Sequence, residues 1–398
     1  MTLTERKLHS HYDSSTSSPP RLRVAMMLES DEPGGAEMMV FRLSDELRRR
    51  GHTVVPVGPE HGVGWLGDVF RRGGFSPEVF RLRRPIDPGC VRGLVDLFRA
   101  HRIDVVHSHE FTMAVYGAAA ARLLGLPHIV TMHGGLGHVC KALRRRIALR
   151  WALRTSDHAV MVSRATQTQF ASDLGISPSR FNVVPNGVPV QKGNAAQVRA
   201  EFGIREGECV LLAVGVLELH KGHRILLEAL ERLDSGRLDT PWRLIIAGGA
   251  GGAEHGSMLE FIDAEGLADR VHIVFNRNDV SDLLALADIF VMPSLWEGLP
   301  MAVLEAMVAR KAIVASAIAG IPEAIVNGRD GILVPAGEVT PLADALRLLI
   351  ADPARRTELG EGAAARADLE FTVDVMTSRY EALYLSSSLK RQPTALRA

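Results

Sequence analysis

The sequence predicts an α/β protein with two domains, each a parallel sheet covered by helices, that face each other across a cleft. Its 398 residues suit two or three domains. Short apolar runs alternate with segments of helical periodicity, which is typical of parallel sheets with both faces covered. The alternation is interrupted once, by the polar stretch Gln191–Glu208, and then resumes. Two such series predict two Rossmann-like domains.

The predicted N-terminal domain comprises residues 21–190. Its first strand, Leu22–Leu28, is followed by a glycine pair and an amphipathic helix, in which Val40, Leu43 and Leu47 share one face. Helical segments separate the strands that follow. These are His52–Gly58, Ile103–His109, Pro127–His133, His158–Ser163 and Phe181–Gly187.

The predicted C-terminal domain comprises residues 191–371 and begins with a short helix in the polar stretch. Further helices are predicted over Arg224–Leu233, Met301–Val308 and Pro341–Ala351. The predicted strands are Cys209–Gly215, Trp242–Gly248, Val271–Phe275, Ile289–Ser294, Ala312–Ser316 and Gly331–Pro335.

The two ends of the chain differ from the domains in composition. An amphipathic helix is predicted over 372–388. Residues 1–20 are rich in Ser, Thr and Pro and contain no apolar segment, which predicts a disordered tail rather than a signal peptide. Residues 389–398 are predicted to be a second disordered tail.

The composition excludes several functional classes. Lys+Arg and Asp+Glu both number 46, so the formal charge is zero and general nucleic-acid binding is not expected. The cysteines Cys90, Cys140 and Cys209 are too few and too scattered for a disulfide framework or a cysteine-rich zinc site. No apolar run reaches the roughly 18 residues of a membrane-spanning helix. We therefore expect a cytoplasmic location.

Polar or glycine-rich loops follow most of the predicted strands. Ligands of open parallel sheets bind outside the carboxyl ends of the strands. Facing loops from two domains would therefore enclose a ligand-binding cleft. The loops are Glu29–Glu37, His107–Glu110, His133–Gly137, Asn186–Gly187, Gly215–Gly222, Gly248–Gly252, Ser294–Pro300 and Ala317–Pro322.

Two carboxylates stand out in the C-terminal domain. Glu297 lies at a strand exit and Glu305 lies within the following helix. Carboxylates accept hydrogen bonds without donating them, so this pair could bind two hydroxylated parts of one ligand. The alternative, about equally favoured by the charge pattern, is a helix start whose dipole favours acidic residues.

Two glycine-containing loops could receive a phosphate. Lys221 and Gly222 open a helix after a buried strand, where a cation and free backbone amides suit an anion; an ordinary solvated lysine is the alternative. Gly34 and Gly35 begin the first helix, although a plain tight turn explains them equally simply. The GxGxxG and GxxxxGK[ST] fingerprints are absent at these loops, which disfavours a nicotinamide dinucleotide and a P-loop.

Histidines end two neighbouring strands. His133 precedes a glycine pair and could hydrogen-bond a substrate at neutral pH. His107 and His109 are expected to point to opposite sides of their strand. A third ligand at readable spacing is missing, so no metal site is predicted.

The segment Lys141–Arg154 is strongly basic. It combines six Lys and Arg residues with apolar residues such as Leu143, Ile147 and Trp151. A basic amphipathic helix can lie on an anionic membrane, here at the inner face. An ordinary surface helix with extended arginine stems is the alternative.

Together these motifs resemble the retaining glycosyltransferases of family 4, which have the GT-B fold. The resemblance covers about Leu22 to Leu385. Its most specific part is the pair Glu297 and Glu305, separated by seven intervening residues within PSLWEGLPMAVLEAMVARKAIVAS. The motifs PGGAE, DVVHSH, TMHG, SDHAVMVS, VVPNGV and GIPEAIVNGRDGILVP stand in the family's order.

The resemblance implies roles for individual residues. Glu305 would accept hydrogen bonds from the ribose of a nucleotide-sugar, and Lys221 would neutralise its diphosphate. His133 would contact the donor sugar, and with Lys221 and Glu297 it would be catalytic. The donor-binding residues would be Gly35, Gly215, Lys221, Arg277, Glu297, Gly298, Leu299, Pro300 and Glu305, whereas the acceptor-binding residues are unknown.

The resemblance also implies an activity. A hexosyl group would pass, with retention, from a UDP-sugar or less preferably a GDP-sugar to a glycan or lipid-linked acceptor, without metal or cofactor. A sugar-nucleotide epimerase or hydrolase and a non-catalytic nucleotide-sugar binder are alternatives. Two positions depart from the family: Val216 replaces a usual arginine, for which Arg224 could substitute, and Phe275 replaces a usual glycine near the base.

Overall fold

A computed structural model describes residues 20–30, 34–60, 64–134, 142–234, 239–249 and 252–391. The predicted tail 1–20 lies outside the described residues except for its last position. The predicted tail 389–398 is corrected at its start, because the last helix continues past 388 and includes Arg391, the last described residue. No proline or glycine precedes Pro393 in this region, so nothing in the sequence stops the helix at 388. Residues 392–398 lie outside the described part.

The first sheet has seven parallel strands in the order β3-β2-β1-β4-β5-β6-β7. The three-residue strand β3 was not predicted, because its sequence Glu-Val-Phe is too short to show a pattern. The strands are β1 (Arg23–Met27), β2 (Thr53–Pro59), β3 (Glu78–Phe80), β4 (Val105–His109), β5 (His128–Met132), β6 (His158–Met161) and β7 (Phe181–Val183).

The second sheet has six parallel strands in the order β10-β9-β8-β11-β12-β13. All six correspond to apolar runs identified in the sequence. They are β8 (Cys209–Val214), β9 (Trp242–Gly248), β10 (Val271–Phe275), β11 (Ile289–Met292), β12 (Ala312–Ser316) and β13 (Ile332–Val334).

Helices connect the strands and cover both sheets. In the first half they are α1 (Gly35–Arg49), α2 (Trp65–Arg72), α3 (Pro88–Ala100), α4 (Glu110–Leu124), α5 (Leu143–Thr155) and α6 (Arg164–Leu174). In the second half they are α7 (Ala195–Glu201), α8 (His223–Asp234), α9 (His255–Ala264), α10 (Val280–Leu286), α11 (Met301–Val308), α12 (Ile321–Ala324), α13 (Val339–Ala351), α14 (Pro353–Glu370) and α15 (Val373–Arg391). Among the described helices, none is long and apolar enough to cross a membrane.

Each sheet buries apolar side chains on both faces. Successive residues of a strand point to opposite faces. On β1, Val24 and Met26 therefore pack with one layer of helices, and Ala25 and Met27 pack with the other. On β8, Leu211 and Leu212 are likewise divided between two cores. The uniformly apolar strands of the sequence are explained by this two-sided burial.

The last helix returns to the first sheet. Tyr380 and Tyr384 of α15 are fully buried in the core beside β1 and α1. Arg50 Nη1, at the end of α1, donates to Glu381 Oε2 at 2.9 Å, and the other carboxylate oxygen of Glu381 lies 2.9 Å from His52 Nε2. The chain thus leaves the second sheet and fastens onto the first.

Candidate functional site

The carboxyl ends of the two sheets meet, and backbone from one domain touches backbone from the other. A Cβ added to Gly298 would lie 2.7 Å from the carbonyl oxygen of His133. A Cβ added to Gly35 would lie 3.1 Å from Cγ of Met301. Asn186 Nδ2 donates to the Leu299 carbonyl at 3.3 Å. The predicted facing loops are therefore in direct contact.

Lys221 and Glu297 form the centre of the C-terminal side of this cleft. Lys221 Nζ lies 2.6 Å from Glu297 Oε1, and the two side chains are 17% and 9% exposed. Ser294 donates from its hydroxyl to the same carboxylate oxygen at 2.8 Å. The stem of Lys221 packs against Gly215, where a Cβ would lie 3.4 Å from Lys221 Cδ. The structure thus brings three predicted residues together: Gly215, Lys221 and Glu297.

The conformation of the loop that carries Lys221 follows from its local sequence. Leu219–Lys221 forms a single 3-10 turn after β8, and Gly222 follows with a left-handed φ of 68°. A residue with a side chain adopts that conformation rarely, so glycine permits the abrupt start of α8 at His223. The N-terminus of α8 consequently lies directly behind Lys221, where it favours a negatively charged group.

Glu305 has a partner that the sequence did not predict. Arg42 on α1 donates from Nη2 to Glu305 Oε1 on α11 at 2.7 Å. Nothing in the pattern of α1 distinguishes Arg42 from the other arginines of that helix. The predicted ribose-binding carboxylate is therefore held, in this structure, by the opposite domain.

A second acidic residue also bridges the domains. Glu323 of α12 accepts hydrogen bonds from the backbone amides of Arg164 and Ala165, both at 2.7 Å. These amides begin α6, so the carboxylate caps that helix and lies at the positive end of its dipole. The only sequence signal was Glu323 itself within GIPEA, and its partner lies 158 residues away.

His133 belongs to a buried chain of imidazoles. His133 Nε2 lies 3.0 Å from His109 Nδ1, and His109 Nε2 lies 3.1 Å from the Met26 sulfur. His133 Nδ1 is buried without a hydrogen-bond partner in the described part of the chain. Burial lowers the pKa of His133 to about 4. His133 is therefore neutral at pH 7 and can offer a hydrogen-bonding atom, not a charge.

The expected opposite orientation of His107 and His109 was wrong. Their ring centroids lie 4.1 Å apart, on the same face of β4. Side chains alternate along a strand, so residues two positions apart share a face. His107 hydrogen-bonds Tyr384 and Thr131 and so ties β4 to α15. Across the described residues, no group of three His, Cys, Asp or Glu residues could hold a metal ion.

Glu110 is a buried carboxylate that the sequence analysis did not select. It begins α4 with a φ of 62°, a conformation that residues other than glycine rarely adopt and that is typical of functional sites. Its Oε1 accepts the backbone N–H of His133 at 2.9 Å. Burial raises the pKa of Glu110 to about 7, with smaller contributions from the nearby carboxylates Glu37 and Glu29. Glu110 thus positions the backbone of the His133 loop.

The expected base-binding residues lie further from this centre. Arg277 Nη2 donates to Glu201 Oε2 on α7 at 2.9 Å and to Asp279 Oδ2 at 2.6 Å. Its role at the base therefore remains a prediction.

Val216, the position where the family usually has an arginine, is 44% exposed. The guanidinium of Arg224 lies over the ring of Phe261 and pairs with Glu228, and its substitution for the missing arginine stays a prediction.

Helix α5 presents apolar side chains to the surface. Leu149, Ala152 and Leu153 are fully buried against the first sheet. Leu143, Ile147 and Trp151 are 72%, 60% and 38% exposed. These three residues are four positions apart, so they form one stripe along the helix. Arg144, Arg145, Arg146 and Arg154 are exposed around it, and Lys141 lies outside the described residues.

Comparison with known proteins agrees with this arrangement. A family model described as "Glycosyl transferases group 1" matches residues 194–366. A second model, "Glycosyltransferase Family 4", matches residues 33–192. The two matches together span every strand of both sheets except β1, together with the cleft residues Gly35, His133, Lys221, Glu297 and Glu305.

Curated relatives are similar over about two thirds of the chain. A D-inositol 3-phosphate glycosyltransferase of Arthrobacter sp. is 29% identical over 67% of this chain and 66% of its own length. An Escherichia coli UDP-Gal:alpha-D-GlcNAc-diphosphoundecaprenol alpha-1,3-galactosyltransferase is 27% identical over 64% of this chain and 68% of its own length.

Solved structures extend the similarity of fold to nearly the whole chain. Anabaena HepE, crystallised in complex with UDP, superimposes with a TM-score of 0.81 at 23% sequence identity. The match covers 92% of this chain and 100% of that one. Two facing Rossmann-like domains, matched one by one by the two family models, are the GT-B architecture that the sequence predicted. The chain therefore belongs to glycosyltransferase family 4 and has the GT-B fold.

Proposed function

We propose that this glycosyltransferase moves a hexosyl group, with retention, from a UDP-sugar to a glycan or lipid-linked acceptor in polysaccharide or glycolipid synthesis. The observation that carries the proposal is the partly buried pair of Lys221 and Glu297, 2.6 Å apart at the C-terminal face of one sheet. His133 of the other domain lies directly behind Gly298, which follows Glu297. A donor bound between them would contact a cation, a carboxylate and a neutral imidazole.

The leaving diphosphate needs positive charge as the bond from sugar C1 to oxygen breaks. Lys221 and the free amides at the start of α8 provide it without a metal ion. Such fixed groups stabilise developing charge well in a cleft that excludes water, and removing one donor typically costs about 10²–10³ in rate. Lys221 would act as the diphosphate cation, which makes Val216 a tolerable departure from the family.

The donor sugar would lie between the two domains. Glu297 and the backbone of Gly298, Leu299 and Pro300 would hold it from one side. From the other side His133 Nδ1, buried and neutral, would hydrogen-bond a sugar hydroxyl. Retention would result from attack on the face that the diphosphate leaves, and no protein nucleophile is assigned.

The preference for UDP over GDP is supported by relatives. The E. coli relative is named for UDP-Gal and a diphosphoundecaprenol acceptor, and the Anabaena structure contains UDP. Glu305 would accept the ribose hydroxyls, Gly35 would approach the diphosphate from the N-terminal domain, and Arg277 would lie near the base. Gly215 would let the diphosphate approach the backbone closely.

Thermal melting with nucleotides tests the donor site. We expect UDP and a UDP-sugar, but not ADP, to raise the melting temperature, since a ligand at 100 times its Kd adds about 2.7 kcal/mol. Lys221→Met should abolish the shift, because the diphosphate loses its cation. Lys192→Met, at an exposed position of the linker, should keep it.

Four results would contradict this proposal. No shift of the melting temperature with any nucleotide would mean that the protein has no nucleotide-sugar donor site. A shift accompanied by sugar release to water, but no transfer to added acceptors, would favour a hydrolase, and interconversion of the donor sugar would favour an epimerase. Binding without any turnover would favour a non-catalytic nucleotide-sugar binder.

The proposal extends to the membrane surface through α5. The exposed stripe of Leu143, Ile147 and Trp151 is surrounded by arginines. Apolar side chains that enter the headgroup region, together with cations that attract anionic lipids, are the two requirements for peripheral binding. A lipid-linked acceptor at the inner face of the membrane would then reach the cleft.

Vesicle sedimentation tests this contact. We expect the protein to sediment with phosphatidylglycerol vesicles, and not with phosphatidylcholine vesicles, because of the arginines. The double variant Leu143→Ser, Ile147→Ser should stay in the supernatant. Leu369→Ser, which removes a 76% exposed leucine from α14, is the matched control and should sediment like the wild type. Equal sedimentation of the wild type and the double variant would mean that α5 is an ordinary surface helix that does not bind the membrane.

A further inference from the structure

Arg42 joins the two domains at the proposed nucleoside site. It extends from α1 in the N-terminal domain, and its Nη2 lies 2.7 Å from Oε1 of Glu305 in the C-terminal domain. The two side chains are only 15% and 23% exposed. Partial burial makes this contact stronger than an ordinary surface ion pair, whose worth is small. It therefore holds the Glu305 carboxylate in one orientation.

The guanidinium of Arg42 also has an unsatisfied donor. Its Nη1 is buried and has no hydrogen-bond partner among residues that the structure describes. Buried polar atoms in folded proteins are nearly always paired, and an exception calls for an explanation. The guanidinium of arginine is suited to bidentate hydrogen bonds, and the pair with Glu305 uses only its Nη2 side. The remaining N–H is thus poised for a group outside the chain.

The chemistry of the two side chains identifies that group. A carboxylate only accepts hydrogen bonds, and a guanidinium only donates them. Each hydroxyl of a vicinal diol does both, so one diol can donate to Glu305 and accept from Arg42. A phosphate cannot donate to Glu305 and would be repelled by it. The combination therefore fits a diol better than an anion.

We infer that Arg42 is a ribose-binding and positioning residue, which orients Glu305 and donates from Nη1 to the ribose diol of the donor nucleotide. This inference rests on the proposed function, because it assigns the ribose to Glu305. It makes the nucleoside, and not only the sugar, a contact shared by both domains. Closure of the cleft is then coupled to recognition of ribose.

The inference is tested by calorimetric binding of UDP and of 3′-deoxy-UDP to four proteins: the wild type, Arg42→Lys, Arg42→Met and Arg49→Met. In Arg42→Lys, the ammonium group can keep the ion pair with Glu305, but it lacks the second donor that Nη1 of the guanidinium provides. We expect this variant to bind UDP about 10- to 100-fold more weakly than the wild type, the range for a hydrogen bond to a charged group. Its affinity for 3′-deoxy-UDP should change much less, so the preference for ribose shrinks.

The control and a kinetic readout separate binding from structure. Arg49→Met removes a 70% exposed arginine of the same helix that pairs with Asp45 and Glu46 of α1, and should leave both affinities unchanged. In steady-state transfer, Arg42→Lys should raise KM for the donor and leave kcat nearly unchanged. A melting temperature equal to that of the wild type would show that the fold is retained.

Other outcomes overturn the inference in distinguishable ways. Unchanged affinity for UDP in Arg42→Lys would mean that Nη1 does not reach the ligand. Tighter binding in Arg42→Met would mean that Arg42 competes with ribose for Glu305. Both results leave the proposed function intact, whereas failure of the wild type to bind any nucleotide removes the proposed function as well.

Discussion

Gly298→Ala is expected to slow sugar transfer about 100-fold while leaving the fold and the binding of UDP intact. The added Cβ would lie 2.7 Å from the carbonyl oxygen of His133, in the opposite domain. Real Cβ atoms do not approach an oxygen so closely, and a backbone carbonyl cannot rotate away as a side chain can. The domains would have to separate by a few tenths of an ångström or more at the reacting centre.

The size of the effect follows from the geometry of catalysis. A misplacement of about 1 Å at an active site can cost about 10²-fold in rate. Gly298 does not adopt a left-handed conformation, so alanine fits its backbone when the domains are apart. We therefore expect kcat to fall by about two orders of magnitude, with UDP binding preserved because Lys221 and Glu305 are untouched.

Transfer assays and UDP titrations of the same protein measure this prediction. Gly256→Ala in α9 is the matched control, because no atom lies within 4 Å of its added Cβ. That variant should transfer at the wild-type rate. If Gly298→Ala did so too, catalysis would not need the contact between Gly298 and His133, and the proposed position of the donor sugar would be wrong.

The fold was predictable because its cause is local. Buried parallel strands require continuous apolar runs, and those runs stand out in the sequence as Cys209–Val214 or His158–Met161. The strand Glu78–Phe80 was missed because its position at the edge of the sheet demands no such run. The end of α15 was misplaced because helix propensity alone, without a stop signal, does not mark a terminus.

The candidate site was predictable only within each domain. Lys221 and Glu297 follow strand ends that are neighbours in one sheet, so topology brings them together. Arg42 and Glu305 are 263 residues apart and come from different domains. No periodicity reports the relative placement of two domains. Glu110 was missed for another reason: its significance lies in burial and in a left-handed backbone, and neither is visible in the sequence.

Glu110→Gln is expected to remove a loss of stability that the wild type undergoes as the pH rises from about 4.5 to 7. Burial raises the pKa of Glu110 from 4.5 to about 7. Below pH 4.5 the carboxyl is neutral in both the folded and the unfolded chain, and ionisation costs nothing. Between pH 4.5 and 7 the unfolded chain releases this proton and exposes the charge to water, whereas the folded chain, which would have to bury the charge, keeps the proton. Stability is therefore lost with rising pH.

The magnitude is substantial for a single group. One unit of pKa shift corresponds to about 1.4 kcal/mol, so the full cost above pH 7 is up to about 3 kcal/mol. Glutamine has the same shape and stays neutral, and its carbonyl oxygen can still accept the His133 amide N–H. It cannot accept the second amide, of Gly134, that also contacts the carboxylate. The variant should thus be slightly less well ordered at pH 5 and more stable than the wild type at pH 9.

Calorimetric melting between pH 5 and 9 measures the difference between the two proteins at each pH. The two curves should separate progressively between about pH 5 and 7, and the difference between them should stay constant above pH 7. Glu361→Gln, at an exposed carboxylate of α14, controls for the loss of one negative charge and should follow the wild type. Parallel curves for Glu110→Gln and the wild type throughout would mean that Glu110 is ionised in the folded protein well below neutrality. The hydrogen bonds from the His133 and Gly134 amides would then lower the pKa of Glu110 as much as burial raises it. Glu110 would in that case hold the His133 loop as a charged carboxylate at neutral pH.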